Sequence, residues 1–412
     1  MPDEITHGTG SDSALTLRMN PVASRDNPWT EAQNAILSDT GLVLAHETIS
    51  RWPGYAETPL HALPAMAARL GVGQLHYKDE GPRFGLGSFK ALGGAYAVAR
   101  LLRSALSQSL GRTVTMTEIT GKTLPQAAGV TVCCATDGNH GRSVAWGARN
   151  FGCRCVIFIH EGVSEARKTA IEAYGAEVYR CEGNYDDSVR FAQTTAAREG
   201  WFVVSETSYD GYMEIPRDVM QGYEVMAAEA FARLSEPPTH LFLQTGVGGM
   251  AAAVAALAVR RWGPDRPRII LCDPDRSACW LETFRAGAPA PVHGPLDTIM
   301  AGLACGEVSA LAWEILRDHA DAVLTLTDAA AVAMMRWLAS PEGRDPAIVA
   351  GESAVAGLAG LRTAMTQDAA RRMLGLGPAS RVLVFGTEGD TDPALYQDLV
   401  GMSAEEVRRA NG

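Results

Sequence analysis

The first group in this chain with chemistry to offer is the amine of Lys90, set in the run Gly85-Leu86-Gly87-Ser88-Phe89-Lys90-Ala91-Leu92-Gly93-Gly94. An amine in an apolar, glycine-rich setting is desolvated, which makes it nucleophilic towards a carbonyl and suits it to form a Schiff base. A lysine is more often a solvated surface charge. Here arginine has taken over that work, because the chain has 36 Lys+Arg and its lysines are Lys78, Lys90, Lys122 and Lys168. Phe89 supplies a flat ring beside the amine. The run follows the apolar segment Leu75-His76-Tyr77 and opens a helical spacing from Lys90 to Leu106. Lys90 is therefore expected at a strand-to-helix turn, where α/β proteins collect their chemistry.

Three further stretches carry candidate groups. In Gly246-Val247-Gly248-Gly249 the missing side chains let backbone N–H groups approach a phosphate, and the helix that follows adds partial positive charge. The same loop, read as Gly246-x-Gly248-x-x-Ala251 with Asp273 ending the next strand, also fits a dinucleotide fingerprint, although its place past mid-chain is unusual for one. Thr136-Asp137-Gly138-Asn139-His140-Gly141 opens a helix whose N–H groups could hold a substrate carboxylate, with Asn139 able to donate to a phenolic oxygen. Asp137 is equally suited to be a helix cap, and an isolated His140 is more often structural than catalytic. Finally, Gly386-Thr387-Glu388-Gly389-Asp390-Thr391-Asp392-Pro393 offers the Thr387 hydroxyl as a neutral partner for a pyridine nitrogen, or else forms a polar turn.

Regular alternation of strands and helices must position these groups. Strands are expected at residues 130–135, 155–159, 176–181 and 202–205, with amphipathic helices starting near His140, Ser164 and Asp186. The pattern resumes with a helix over 214–233, a strand over 241–245, a helix over 250–262 and a strand over 269–272. Helices over 310–318, 329–338 and 354–365 then lead to a last strand at 382–385. Such repetition makes an α/β fold of parallel sheets covered on both faces. Residues 110–208 read as a small α/β domain inserted into a larger one formed by 1–109 and 209–412, with the active site expected in a cleft between them. Residues 1 to about 30 read as a poorly ordered arm. Thr120-Gly121-Lys122-Thr123 fails as a phosphate loop, because Met116 stands where a glycine is required.

Composition narrows the function. With 412 residues, 47% hydrophobic and 20% charged, the chain is an ordinary globular protein. Its net charge of -11 argues against nucleic acid or an anionic membrane as partner. It has no long uncharged apolar run, and its polar, acidic start is wrong for a signal peptide, so a cytoplasmic location is expected. The eight cysteines form no CxxC pair, which predicts neither a metal site nor a disulfide framework. Cys279 and Cys305 lie outside the predicted strands and are the pair that could meet.

Taken together and in this order, the four motifs resemble the tryptophan-synthase-like (fold-type II) pyridoxal-phosphate enzymes. Within that family the surrounding text is similar to the 2,3-diaminopropionate ammonia-lyases. The resemblance rests on Arg83-Phe84-Gly85-Leu86 before Ser88-Phe89-Lys90, Thr136 to Arg142, Asn184-Tyr185-Asp186-Asp187, Ile215-Pro216 with Met220 to Tyr223, Thr298 to Glu307, Gly351-Glu352-Ser353 and Thr387 to Pro393. It implies the two-domain architecture of tryptophan synthase β, pyridoxal 5'-phosphate as cofactor, an amino acid as substrate and a homodimer. By the same resemblance Lys90 would carry the cofactor, Phe89 would contact it, Asn139 would meet its ring oxygen, Gly246, Val247, Gly248 and Gly249 its phosphate, and Thr387 its ring nitrogen. Thr136, Asp137, Gly138 and His140 would face the substrate, and Glu352 would play a supporting role.

Asp137 and Glu206 separate the possible reactions. Related hydroxyamino-acid dehydratases place a serine where this chain has Asp137, whereas the ammonia-lyases have an aspartate. A carboxylate can pair with a β-ammonium or take the Cα proton from the face opposite Lys90. At Ser205-Glu206-Thr207 the lyases carry an aspartate that helps position the distal amine, and Glu206 is one methylene longer. The expected reaction is β-elimination of ammonia from a 2,3-diaminopropionate-like amino acid, giving pyruvate and ammonia, with D- as well as L-substrates plausible. The alternatives are a serine or threonine dehydratase, a β-replacement synthase, and, more remotely, a nicotinamide-dependent oxidoreductase using Gly246 and Asp273.

Overall fold

The computed structural model describes residues 3–8, 12–136, 138–183 and 185–410. Asp137 and Asn184 lie outside the described residues. Among the described residues twelve strands follow one another. They are β1 (Glu4–His7), β2 (Leu15–Met19), β3 (Leu60–Ala62), β4 (Gln74–Asp79), β5 (Thr131–Ala135), β6 (Arg154–His160), β7 (Glu177–Cys181), β8 (Phe202–Val203), β9 (His240–Gln244), β10 (Arg268–Pro274), β11 (Ala322–Leu326) and β12 (Arg381–Gly386). Helices separate most of them, as the alternating pattern requires.

The chain divides into two compact units. The larger comprises Met1–Ile36, Glu57–Pro82 and Met226–Gly412, and holds an eight-stranded sheet in the order β1-β2-β11-β10-β9-β12-β4-β3. Its five central strands, β11 to β4, are parallel, while β2 and β3 join at the edges antiparallel. A parallel strand covered on both faces has no polar side to present. β9 shows this, since all of His240-Leu241-Phe242-Leu243-Gln244 is buried. Tyr77, Phe242, Ile270, Leu324 and Val384 from the strands share one core with Met334, Leu338, Leu358 and Leu361 from the helices Asp328–Ala339 and Ala356–Thr366.

The smaller unit comprises Leu37–Ala56 and Arg83–Val225, and holds a parallel four-stranded sheet in the order β7-β6-β5-β8. It is wider than the expected insertion of 110–208, because close packing ties the flanking segments to it. The helix Ala91–Leu110 lies against the helix Asn139–Phe151, and a Cβ at Gly147 would come within 2.8 Å of the Ala95 backbone. Beside Gly93 stand Val219 and Tyr223 of the helix Glu214–Arg233. Cys133, Val156, Phe158, Ala192 and Ala196 make the core under the sheet. Burial pushes the Cys133 thiol up to about 12, so it acts as a small hydrophobe.

The amino-terminal segment departs from the expectation of a poorly ordered arm. β1 and β2 form an antiparallel pair, and β2 extends the sheet by pairing Leu17 with Leu324 of β11. The signal was the alternation Leu15-Thr16-Leu17-Arg18-Met19, which buries Leu15 and Leu17 and turns Arg18 outward to Glu4. β11 itself went unpredicted, although Ala322-Val323-Leu324-Thr325-Leu326 is buried throughout. Leu17 is fully buried, so Leu17→Ala should destabilise the fold by about 2–3 kcal/mol, read as a lower urea midpoint at unchanged slope.

Candidate active site

Within the smaller unit, Lys90 stands just before the helix Ala91–Leu110 with helical backbone angles, as a strand-to-helix turn demands. The segment leading to it is held from several sides. Phe84 adopts a left-handed backbone (φ 53°), uncommon for a non-glycine residue, and its ring packs on Trp146 at 4.9 Å and Trp52 at 5.9 Å. Arg142 donates to the Leu86 carbonyl at 3.0 Å. These contacts fix where the amine emerges.

The Lys90 Nζ donates to both oxygens of Glu206, at 2.6 and 2.5 Å, while the two side chains are 15% and 24% exposed. Tyr223 donates its phenol to Glu206 Oε2 at 3.0 Å and packs its ring 4.5 Å from that of Phe89. The two packed rings lie on one side of the ammonium, whose nitrogen is 5.2 Å from the Phe89 centroid and 5.9 Å from that of Tyr223. Burial alone would raise the Glu206 carboxyl, but the Lys90 charge, His140 and the Tyr223 hydrogen bond outweigh it and hold the group at about 2. Tyr223 was not anticipated. The signal that could have found it is Gly222-Tyr223 in helical spacing opposite Gly93, two glycines where helices must approach closely.

At the start of the helix Asn139–Phe151, the Thr136 hydroxyl accepts from the Gly138 and Gly141 N–H groups, each at 3.1 Å, and so shapes the turn. Asn139 opens the helix. His140 is buried, and its Nε2 bonds the Val204 carbonyl at 2.8 Å, the structural engagement expected of a buried histidine. Burial pushes its pKa below the ordinary value, against the pull of Glu206. A carbonyl accepts only, so Nε2 carries the proton and Nδ1 keeps its lone pair.

The remaining predicted residues belong to the larger unit. Gly248 precedes the helix Gly249–Trp262 in the left-handed region (φ 95°), and a Cβ there would overlap the Trp280 ring. No side chain caps that helix. Trp280 Nε1 donates to the Gly246 carbonyl at 3.0 Å, which braces the loop from below. Asp273 is fully buried and accepts from Thr245 Oγ1 and from the Trp280 and Leu281 N–H groups at 2.9 and 3.2 Å. Despite these bonds, burial pushes its carboxyl up to about 7. A carboxylate turned inward onto the first-turn N–H groups of the helix Cys279–Ala286 cannot receive a ribose, which removes the dinucleotide alternative.

Thr387, just past β12, is buried and accepts at Oγ1 from Gln244 Nε2 at 3.0 Å. Glu352 is buried in a turn tied to Glu388, whose Oε1 accepts from the Ser353 N–H at 3.1 Å. Cys279 and Cys305 both stand beside Gly246 and form no disulfide. Lys78, unlike Lys90, is fully buried and is closed in by Thr58, Glu229 and Glu80, with no face left for a ligand.

These residues fit pyridoxal phosphate. In the smaller unit an amine has two packed aromatic rings on one side of it; in the larger, an uncapped helix start follows a loop in which a side chain would collide with Trp280, and a buried hydroxyl has its oxygen occupied and its hydrogen to give. Residues 51–387 match the model of the family described as "Pyridoxal-phosphate dependent enzyme". The chain belongs to that family. It is 39% identical to the diaminopropionate ammonia-lyase of Salmonella typhimurium, over 87% of this chain and 92% of that protein. It also superposes on crystal structures of the Escherichia coli diaminopropionate ammonia-lyase. One, in complex with an aminoacrylate-PLP azomethine reaction intermediate, gives a TM-score of 0.84 at 36% identity. Another, in complex with D-serine, gives 0.85 at 36% identity. Each superposition covers 94% of this chain and 96% of the other. The family's cofactor is pyridoxal phosphate, and the fold is its type II α/β architecture.

In the cofactor-free protein the lowered Glu206 pKa has a pH signature. The Lys90–Glu206 pair contributes stability present in full above the ordinary carboxyl value of 4.5 and lost as pH falls from there towards 2. Glu206→Gln should therefore lose less stability than the parent chain between pH 5 and 3, measured by urea denaturation.

Proposed function

We propose that this enzyme eliminates ammonia from a 2,3-diaminopropionate-like amino acid, giving pyruvate and a second ammonia after hydrolysis. The observation that carries the reading is the Lys90–Glu206–Tyr223 group, an amine and a carboxylate held together in a chain similar over 87% of its length to a diaminopropionate ammonia-lyase. Bound pyridoxal phosphate supplies an electron sink for charge developing at Cα. Lys90 would carry it, with Phe89 against its face, Asn139 at the ring oxygen, residues 246–249 at the phosphate and Thr387 at the ring nitrogen.

The chain's own groups then do three things. The turn of Thr136, Gly138 and His140 at a helix start orients the substrate carboxylate. The Lys90 amine would remove or return the Cα proton on one face and Asp137 on the other, which suits both D- and L-substrates. Glu206, anionic at neutral pH and oriented by Tyr223, favours a protonated β-nitrogen, which leaves as neutral ammonia. A hydroxyl leaving group gains less from such a carboxylate, which ranks the dehydratase second. The same reading takes the protein to be cytoplasmic, as its cysteine usage and composition suggest, and a homodimer, as the resemblance implies. Among the described residues no helix is long and apolar enough to cross a membrane.

Lys90→Ala should abolish keto-acid release and the visible absorbance of bound cofactor, and retention of both would refute its assignment. Asp137→Ser should slow elimination from 2,3-diaminopropionate about tenfold more than from serine, and equal losses would reduce Asp137 to a helix cap. Pyruvate that stays the sole carbon product when a thiol is added separates elimination from β-replacement.

A further inference from the structure

The end of β12 carries a hydrogen-bond constraint that the proposed roles do not use. β9 and β12 run parallel with Phe242 beside Val384, so Gln244 reaches the end of β12 at Gly386 and Thr387. Its Nε2 donates to the Phe385 carbonyl at 2.7 Å and to Thr387 Oγ1 at 3.0 Å, and lies 3.4 Å from the Ala354 carbonyl. Both side chains are at least nine-tenths buried.

The orientation of this amide is decided by its neighbours. Turned over, it would set Oε1 against the Phe385 and Ala354 carbonyl oxygens, lone pair to lone pair. The NH2 must therefore face them, even though Oε1 is then left buried without a partner among the described residues. Thr387 Oγ1 is consequently obliged to accept from Gln244, and its own hydrogen is left to donate elsewhere. A hydroxyl obliged to donate suits a ring nitrogen that carries a lone pair, not one that carries a proton.

We propose that Gln244 is a positioning residue that makes Thr387 a hydrogen-bond donor and thereby holds the cofactor's ring nitrogen unprotonated. The inference rests on the reading above that Thr387 meets that nitrogen. It adds a residue outside the four motifs and a reason for the neutral ring, which makes the sink weaker and the elimination dependent on well-placed acids.

The test titrates cofactor-free protein with pyridoxal phosphate and records the visible band of the loaded protein from pH 6 to 9 for Gln244→Met, Thr387→Val, Thr387→Ser and the Gln244→Met/Thr387→Val pair. Thr387→Val should weaken binding about tenfold and move the band or its pH midpoint. Gln244→Met should do the same by at least threefold, Thr387→Ser should behave as the parent, and the pair should be no worse than Thr387→Val alone. If Thr387→Val acts while Gln244→Met stays within twofold of the parent, or if the two effects add, the inference is overturned. If Thr387→Val leaves binding and band unchanged, the assignment of Thr387 to the ring nitrogen falls first and the inference with it. Should Gln244→Met fail to fold, Gln244→Glu takes its place, since it keeps the length and reverses the hydrogen bond.

Discussion

The site depends on a charge pair that the fold makes stable and the chemistry must disturb. Lys90 and Glu206 are 116 residues apart, yet the carboxylate takes the amine on both oxygens. Such a pair, partly withdrawn from water, is worth keeping only if its geometry is enforced. Tyr223 enforces it, with its phenol on Glu206 and its ring on Phe89. Everything that places Tyr223 beside the helix of Lys90, including the close approach at Gly93, therefore bears on the reactive amine.

The glycine loop of the larger unit shows the complementary device, in which a backbone is shaped by what is packed beneath it. Gly248 can have no side chain because Trp280 fills the space, and Trp280 also holds the Gly246 carbonyl. Asp273 then secures Thr245 and the start of the Trp280 helix. A residue that from spacing alone could have read a ribose is spent on bracing the loop. Its high pKa reflects that interior position, so here a perturbed acid marks structure and not a reacting group.

Lysine scarcity pointed to Lys90 but did not by itself separate it from Lys78, which is more deeply buried. What separates them is the surroundings. Lys78 is enclosed by a carbonyl and two carboxylates, whereas Lys90 keeps an accessible side and an aromatic floor.

The sequence by itself determined the alternation of strands and helices, the α/β class and the strand-end motifs, because periodicity, turn residues and a lone amine are local properties. It also held the pattern of β2, whose alternating leucines were legible although read as an arm. Tertiary structure alone decided which acid faces Lys90, that Tyr223 orients it, that Asp273 turns inward and that Gln244 directs Thr387. The reason is physical: a hydrogen bond's partner is chosen by how separate elements pack, whether 17 residues apart, as for Tyr223 and Glu206, or 143, as for Gln244 and Thr387, and no local pattern encodes that choice.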